Sequence, residues 1–220
     1  MNGQFITFEG GEGAGKTTQA KMLADALEAV GVEVILTREP GGTFGAESIR
    51  KLVLEGTDDR WSGMTELLLM YAARIDHVEK LIKPALERGA WVISDRFSDS
   101  SLAYQGYARG MGVETVRSVH EVVKQGFNPD LTLVFDMDVY LSLKRVETRA
   151  FEQDEDLSRF DKAGQDFHIK IRDAFLDIAR TEPDRVKVVN ADGSRAAVHA
   201  RILNTLTARY PQYAGKLGGA

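Results

Sequence analysis

Residues Gly10-Gly11-Glu12-Gly13-Ala14-Gly15-Lys16-Thr17, followed by Thr18, fit the pattern G-x-x-x-x-G-K-[ST]. This stretch constrains the fold more than any other, because it works only where a strand delivers it and a helix leaves it. Glycines let successive backbone N–H groups turn inward and form a nest for an anion. The helix that starts near Gly15 aims its positive end at the same point. In that setting Lys16 reaches the β- and γ-phosphates of a nucleotide as a point charge, and the Thr17 hydroxyl can hold Mg²⁺. The flanks agree. Gln4–Glu9 reads as a short buried strand, and Thr17–Val30 as a helix with Met22, Leu23, Ala26, Leu27 and Val30 on one face.

Five short apolar runs then recur with helical patterns between them: Phe5–Phe8, Val34–Thr37, Trp91–Asp95, Leu131–Asp136 and Val186–Asn190. None alternates, which suits strands buried on both faces of a parallel sheet. The expected architecture is an α/β fold of the P-loop type. It has a doubly wound, parallel five-stranded sheet flanked by helices, one domain over residues 1–213 and a frayed tail over 214–220. Ligands in such sheets bind at the carboxyl ends of the strands. Chemistry-bearing residues fall there: the glycine loop, Arg38 and Glu39, and Asp95 and Arg96.

At 220 residues the chain can bury a sizeable core. It has no cysteine, so thiolate chemistry and disulfides are excluded. A net charge of −5 argues against a broad nucleic-acid surface. No apolar run is long enough for a bilayer and no basic-then-apolar leader opens the chain, so a cytoplasmic protein with no membrane partner is expected. His77, His120, His168 and His199 match no metal motif.

A long helix is expected from Met64 to Arg88, with an apolar stripe broad enough for two partners. Arg74 interrupts that stripe, which calls either for an anionic partner or for snorkelling to the surface. Two apolar runs end in a carboxylate, at Asp95 and at Asp136, and either suits a Mg²⁺-ordering residue. Arg96 beside Asp95 favours the former, since a phosphate site needs both signs. Residues 150–160 are polar and poorly patterned. They read as a solvated loop or as a mobile lid whose Arg149 and Arg159 close over phosphates.

Four motifs together resemble bacterial thymidylate kinases: Phe8-Glu9-Gly10 running into the glycine loop, Thr37–Thr43, Tyr71-Ala72-Ala73-Arg74, and Asp95-Arg96-Phe97 with Ser100–Gly106. The resemblance extends to about Arg209. It implies transfer of the γ-phosphoryl group of ATP to dTMP, with Mg²⁺, by a homodimer, and the broad apolar stripe of the 64–88 helix is where the two copies are expected to pair. It implies that the loop from Gly10 to Thr18 (Gly10, Gly11, Glu12, Gly13, Ala14, Gly15, Lys16, Thr17, Thr18) holds ATP, with Arg149 near adenine and Thr17 at the metal, where Asp95 is the expected carboxylate from the strand-end reading above and Asp136 its rival. Glu12 would meet the sugar and phosphate of dTMP, and Arg38 and Arg96 would clamp its phosphate. Arg74, Gln105 and Ser101 would face thymine, with Arg50 beside it and Tyr104 beneath the deoxyribose. Lys16, Arg96, Asp95, Glu12 and Arg159 form the expected catalytic set, Arg159 as a lid arginine.

Two departures stand out. Met70 occupies the place where the family stacks an aromatic on thymine. The glycine loop carries no arginine, having Gly13 and Ala14 after Glu12. Two other readings compete. A kinase for another nucleoside monophosphate would lack the match of Arg74 and Gln105 to thymine's carbonyls and N3–H. A nucleotide-dependent switch would have no use for the two arginines that follow separate strands.

Overall fold

A computed structural model describes residues 3–57, 60–124, 126–154, 157–158 and 160–217. Strands β1 (Phe5–Gly10), β2 (Val34–Arg38), β3 (Trp91–Asp95), β4 (Leu131–Asp136) and β5 (Val186–Asn190) form one parallel sheet in the order β2-β3-β1-β4-β5. The helices are α1 (Lys16–Ala29), α2 (Phe44–Leu54), α3 (Gly63–His77), α4 (Lys83–Glu87), α5 (Ser98–Ser101), α6 (Val113–Lys124), α7 (Val139–Gln153), α8 (Gln165–Thr181), α9 (Arg195–Arg209) and α10 (Ala214–Leu217).

All of β1 is buried, because it sits mid-sheet with helices on both faces. The prediction of two-sided burial fails for the edges: Leu36 of β2 and Val188 of β5 are 45% and 47% exposed. Each edge strand has a neighbour on one side only, so its outer side chains meet solvent. One face of the sheet packs Ile6, Phe8, Leu131 and Leu133 against α1 and α9. The other places Val134 with α3, α6 and α8.

Register positions the site. Asp95 lies beside both Phe8 and Arg38, and Gly10 beside Phe135, so the polar strand ends emerge at one level. β1 is also where neighbouring crossovers diverge, which opens the crevice that α/β sheets use for ligands.

Several expected boundaries move. The helix expected over 64–88 is a continuous rod made of α3, a π-turn at Val78–Ile82 and α4. Its broad stripe divides: Leu67, Tyr71, Val78 and Ile82 are buried, while Met64, Leu68 and Ile75 face outward. Residues Leu102–Ala108, which hold the end of the Ser100–Gly106 motif, form a second π-turn continuing α5. In the segment expected as a loop or lid over 150–160, α7 runs on to Gln153 before Asp154 turns left-handed, and 155, 156 and 159 lie outside the described residues. Phe160 at its far end is buried, edge-on to Tyr104 at 5.6 Å. Of the tail expected to be frayed over 214–220, residues 214–217 form α10, and 218–220 lie outside the described residues. Tyr210 and Tyr213 pack on Trp91 at 5.0 and 5.4 Å, and Leu217 joins the same cluster. Two aromatics and a leucine give the short α10 an apolar anchor that outweighs its low propensity.

Candidate active site

The glycine loop is shaped by what surrounds it. A Cβ at Gly13 (φ 72°) would lie 2.1 Å from the Ser142 carbonyl oxygen, and one at Gly10 (φ 131°) 2.7 Å from that of Phe135. Only glycine allows both the positive φ and this approach. α2, α3, α7 and α9 are capped by the side chains of Thr43, Ser62, Asp138 and Ser194. α1 starts from left-handed Gly15 with no side-chain cap, so its first N–H groups stay open to an anion. Lys16 Nζ donates to the Gly10 and Gly11 carbonyls at 3.1 and 2.6 Å. Burial, with Arg96 nearby, pulls its pKa down to about 8.

The loop forms one wall of a cavity of about 1120 Å³, which exceeds the usual span of about 300–1000 Å³ for one drug-sized ligand. Glu12 to Thr18, Arg38, Arg50, Met70, Arg74, Asp95, Arg96, Ser101, Tyr104, Gln105 and Arg149 all line it. Gly10 and Gly11 sit behind the wall as the acceptors for Lys16. Arg159 lies outside the described residues.

Opposite the loop the wall is a dense ionic network. Arg74 donates through Nε to Glu39 at 2.7 Å, and through its terminal nitrogens to Ser101 Oγ at 3.2 Å and the Phe97 carbonyl at 3.0 Å. Its predicted anionic partner is therefore Glu39. The other oxygen of Glu39 meets His77 Nδ1 at 3.0 Å, and His77 Nε2 meets Thr37 Oγ1 at 2.8 Å. All three ion-pair side chains are at most 5% exposed. Glu39 and hydrogen bonding raise the Arg74 pKa against the opposing pull of burial. Met70 lines the cavity whereas Tyr71 lies in the core beneath Arg74, since one residue step turns a helix by about 100°.

Arg96 sits at φ 72°, fixed by its own N–H to the Phe8 carbonyl at 2.9 Å and by Ser94 Oγ to its carbonyl at 2.8 Å. That strained backbone turns its guanidinium into the cavity, where it pairs with Glu12 and donates to the Gly10 carbonyl and Ser100 Oγ. Tyr104 OH donates to Glu12 at 2.6 Å. Burial alone would raise the Glu12 pKa, but Arg96, Lys16 and Tyr104 together hold it below the ordinary value. Arg38 is half exposed and pairs with Glu47, and Arg50 donates to the Pro40 carbonyl at 2.8 Å.

Thr17 Oγ1 donates to Asp95 at 2.5 Å at the mouth of the loop. Asp136 instead accepts two hydrogen bonds from Arg172, at 2.6 and 3.2 Å. Among the described residues no group of three or more His, Cys, Asp or Glu is placed to hold a metal. Thr17 and Asp95 supply two hard oxygen donors side by side, which fits a Mg²⁺ ion that keeps waters and phosphate oxygens in its shell.

A family model described as thymidylate kinase matches residues 8–202. The chain belongs to the thymidylate kinase family. It is 49% identical over 212 residues to a thymidylate kinase of Rhizorhabdus wittichii, covering 96% of this chain and 100% of the relative. Against that of Caulobacter vibrioides the identity is 49% over 207 residues, 94% of this chain and 97% of the relative. The crystal structure of thymidylate kinase from Ehrlichia chaffeensis is 34% identical, with a TM-score of 0.74 over 94% of this chain and 99% of that one. The parallel five-stranded P-loop fold and the identification as a phosphotransferase that uses ATP follow from this membership. Among the described residues no helix is long and apolar enough to cross a membrane.

Within this thymidylate kinase framework, sequence reasoning assigned no role to three buried carboxylates. Glu9 accepts from the Phe97 and Ser100 N–H groups and from Ser100 Oγ, and anchors the turn that carries Arg96. Glu39 orients Arg74. Glu66 accepts from Gln105 Nε2 at 2.7 Å. A signal for the last existed: Glu66, Met70 and Arg74 follow one another at i, i+4 on a single helix face.

Proposed function

We propose that this site performs the family's transfer, moving the γ-phosphoryl group of ATP to dTMP, with the roles distributed as follows. ATP lies along the glycine loop, its phosphates on the open N–H groups of α1 and on Lys16, its adenine towards the rim that carries Arg149. The dTMP base enters the opposite end, against Met70, with Arg74 and Gln105 on its polar edge and Ser101 beside them. Arg50 closes that end, and Tyr104 packs beneath the sugar. Arg96 and Arg38 hold the acceptor phosphate, and Glu12 keeps Arg96 in line between the two nucleotides.

An acceptor phosphate oxygen attacks the γ-phosphorus while the bond to the β-phosphate oxygen breaks and ADP leaves. Little covalent work falls to the protein, so positioning and charge stabilisation carry the rate. Thr17 and Asp95 would hold Mg²⁺, which supplies charge neutralisation at the β- and γ-phosphates. Asp136 is left out of this role because Arg172 occupies its carboxylate.

The observation that carries the proposal is convergence. Lys16, Arg96 and Arg38 face one cavity that continues to Arg74 and Gln105. The test is a panel of nucleoside monophosphates with ATP and Mg²⁺, read by coupled ADP release. Turnover confined to dTMP and close analogues is expected. ATP hydrolysis indifferent to every monophosphate sinks the reading.

Homodimerisation is part of the same proposal. Met64, Leu68 and Ile75 form an outward apolar face of α3 that is 42%, 53% and 38% exposed, and burying it against a second copy removes an aggregation liability. Sedimentation of the wild type as a dimer, and of Leu68→Glu as a monomer, is expected. A wild-type monomer at micromolar concentration refutes it.

A further inference from the structure

Gln105 is wholly buried, and its Oε1 has no hydrogen-bond partner among the described residues, although the residue lines the cavity. The other end of the amide donates to Glu66, whose side chain is 1% exposed and also lies 3.2 Å from Arg109 Nε. A carboxylate only accepts, whereas an amide has one donating and one accepting end. Glu66 therefore admits Nε2 alone, and the carbonyl end is left over. Beside it Arg74 can only donate, and three of its N–H groups are already engaged by Glu39, Ser101 and Phe97.

We propose that Glu66 is a positioning residue that sets base selectivity: by holding Nε2 of Gln105 it leaves Oε1 for a ligand N–H, so the pocket takes a pyrimidine whose edge has N–H beside a carbonyl. This rests on the base-pocket reading above. Thymine and uracil offer that edge. Cytosine turns a lone pair at N3 toward Oε1 and an amino group toward Arg74, leaving four polar groups unpaired. A site built to hydrogen-bond one edge rejects the inverted edge strongly for this reason.

The experiment measures kcat/KM for dTMP, dUMP and dCMP in the wild type and in Glu66→Gln, Arg109→Met and Gln105→Leu. A glutamine at position 66 donates as well as accepts, so the Gln105 amide is free to turn. Glu66→Gln is expected to narrow the dTMP:dCMP ratio by about ten- to a hundredfold. The dTMP:dUMP ratio and the KM for ATP are expected to hold within about twofold, because neither reads the N3 edge. Arg109→Met keeps the carboxylate and is expected to keep the dTMP:dCMP ratio. Gln105→Leu is expected to raise the KM for dTMP. If it does not, the base-pocket reading itself is wrong. If it does, but Glu66→Gln leaves the dTMP:dCMP ratio at its wild-type value, only the positioning role is overturned. The role is equally overturned if the dTMP:dUMP ratio collapses in step, or if Arg109→Met narrows the dTMP:dCMP ratio as far. A second measurement needs no variant. The Gln105 side-chain NH₂ protons are expected to exchange slowly in the wild type without dTMP, and rapid exchange overturns the role.

Discussion

The cavity has two sides that hold their charges differently. On the side of β2, α3 and the turn after β3, Arg74, Glu39 and His77 are paired and buried, and Arg96 pairs across to Glu12 of the glycine loop. On the side built by α7, Lys144 and Arg149 stand exposed at the rim. The first side is organised before any ligand arrives, so little ordering entropy is lost when one binds. The second carries long cations whose rotamers a ligand must order. On the proposed reading, discrimination is expected of the paired side and added affinity of the exposed side. Variants on the paired side should disturb stability and specificity together, while variants at the rim should touch one kinetic constant.

Lys16, at the junction of the two sides, gives the largest effect. Lys16→Met should lower kcat by roughly a thousandfold, more than it raises the KM for dTMP, because its interaction grows as charge develops. The same variant should be more stable than the wild type at pH 7. The folded pKa of about 8 lies below the ordinary 10.5, so the lysine weighs against folding fully below pH 8, and that penalty fades as pH rises toward 10.5. Thermal unfolding at pH 7 and pH 10 checks it, and equal stability at pH 7 would contradict the burial argument.

Arg74→Ala comes next. It leaves Glu39 buried without its partner, so a loss of about 3–5 kcal/mol in stability is expected. The KM for dTMP should rise about ten- to a hundredfold, with the KM for ATP within a few fold. A variant of unchanged stability whose KM rises only for ATP would reverse the proposed sides.

Glu9→Gln should give a smaller, pH-dependent effect. Burial and the nearby Asp99 push the Glu9 pKa up from 4.5 to about 7. A raised carboxyl pKa gives no penalty below pH 4.5, a growing one from there to pH 7, and a constant one above. The stability of Glu9→Gln relative to the wild type should therefore climb across that window, measured by denaturant unfolding. Parallel pH curves would show that Glu9 ionises normally. The smallest effect belongs to Arg149→Ala: a few-fold rise in the KM for ATP and a stability change within about 0.5 kcal/mol. A large loss of stability would mean that the rim is as tightly held as the opposite wall.

Much of this was legible in the residues themselves. β3 and β4 begin and end where their apolar runs do, because a buried parallel strand needs a near-continuous apolar stretch, and β5 keeps its expected limits as a half-exposed edge. The loop from Gly10 to Thr18 could be placed between strand and helix, because its glycines are demanded by local backbone geometry. Helix limits were less legible. α7 continues four residues into a segment with no apolar pattern, and α10 follows a turn whose Tyr213 packs on Trp91, 122 positions earlier in the chain.

The sequence by itself determined the sheet, the phosphate loop and the identity of the cations at the strand ends, since these depend on local pattern and on motifs read along the chain. Tertiary structure decided which carboxylate meets which cation. Asp95 and Asp136 end similar runs, yet one faces Thr17 and the other is held by Arg172 on α8. Glu39 lies 35 residues from Arg74 and Glu66 lies 39 residues from Gln105, yet both pairs are joined at 2.7 Å. Pairing of buried charges is fixed by how α3 packs against the turns after β2 and β3, and the desolvation that makes such a pairing obligatory exists only once those elements have met.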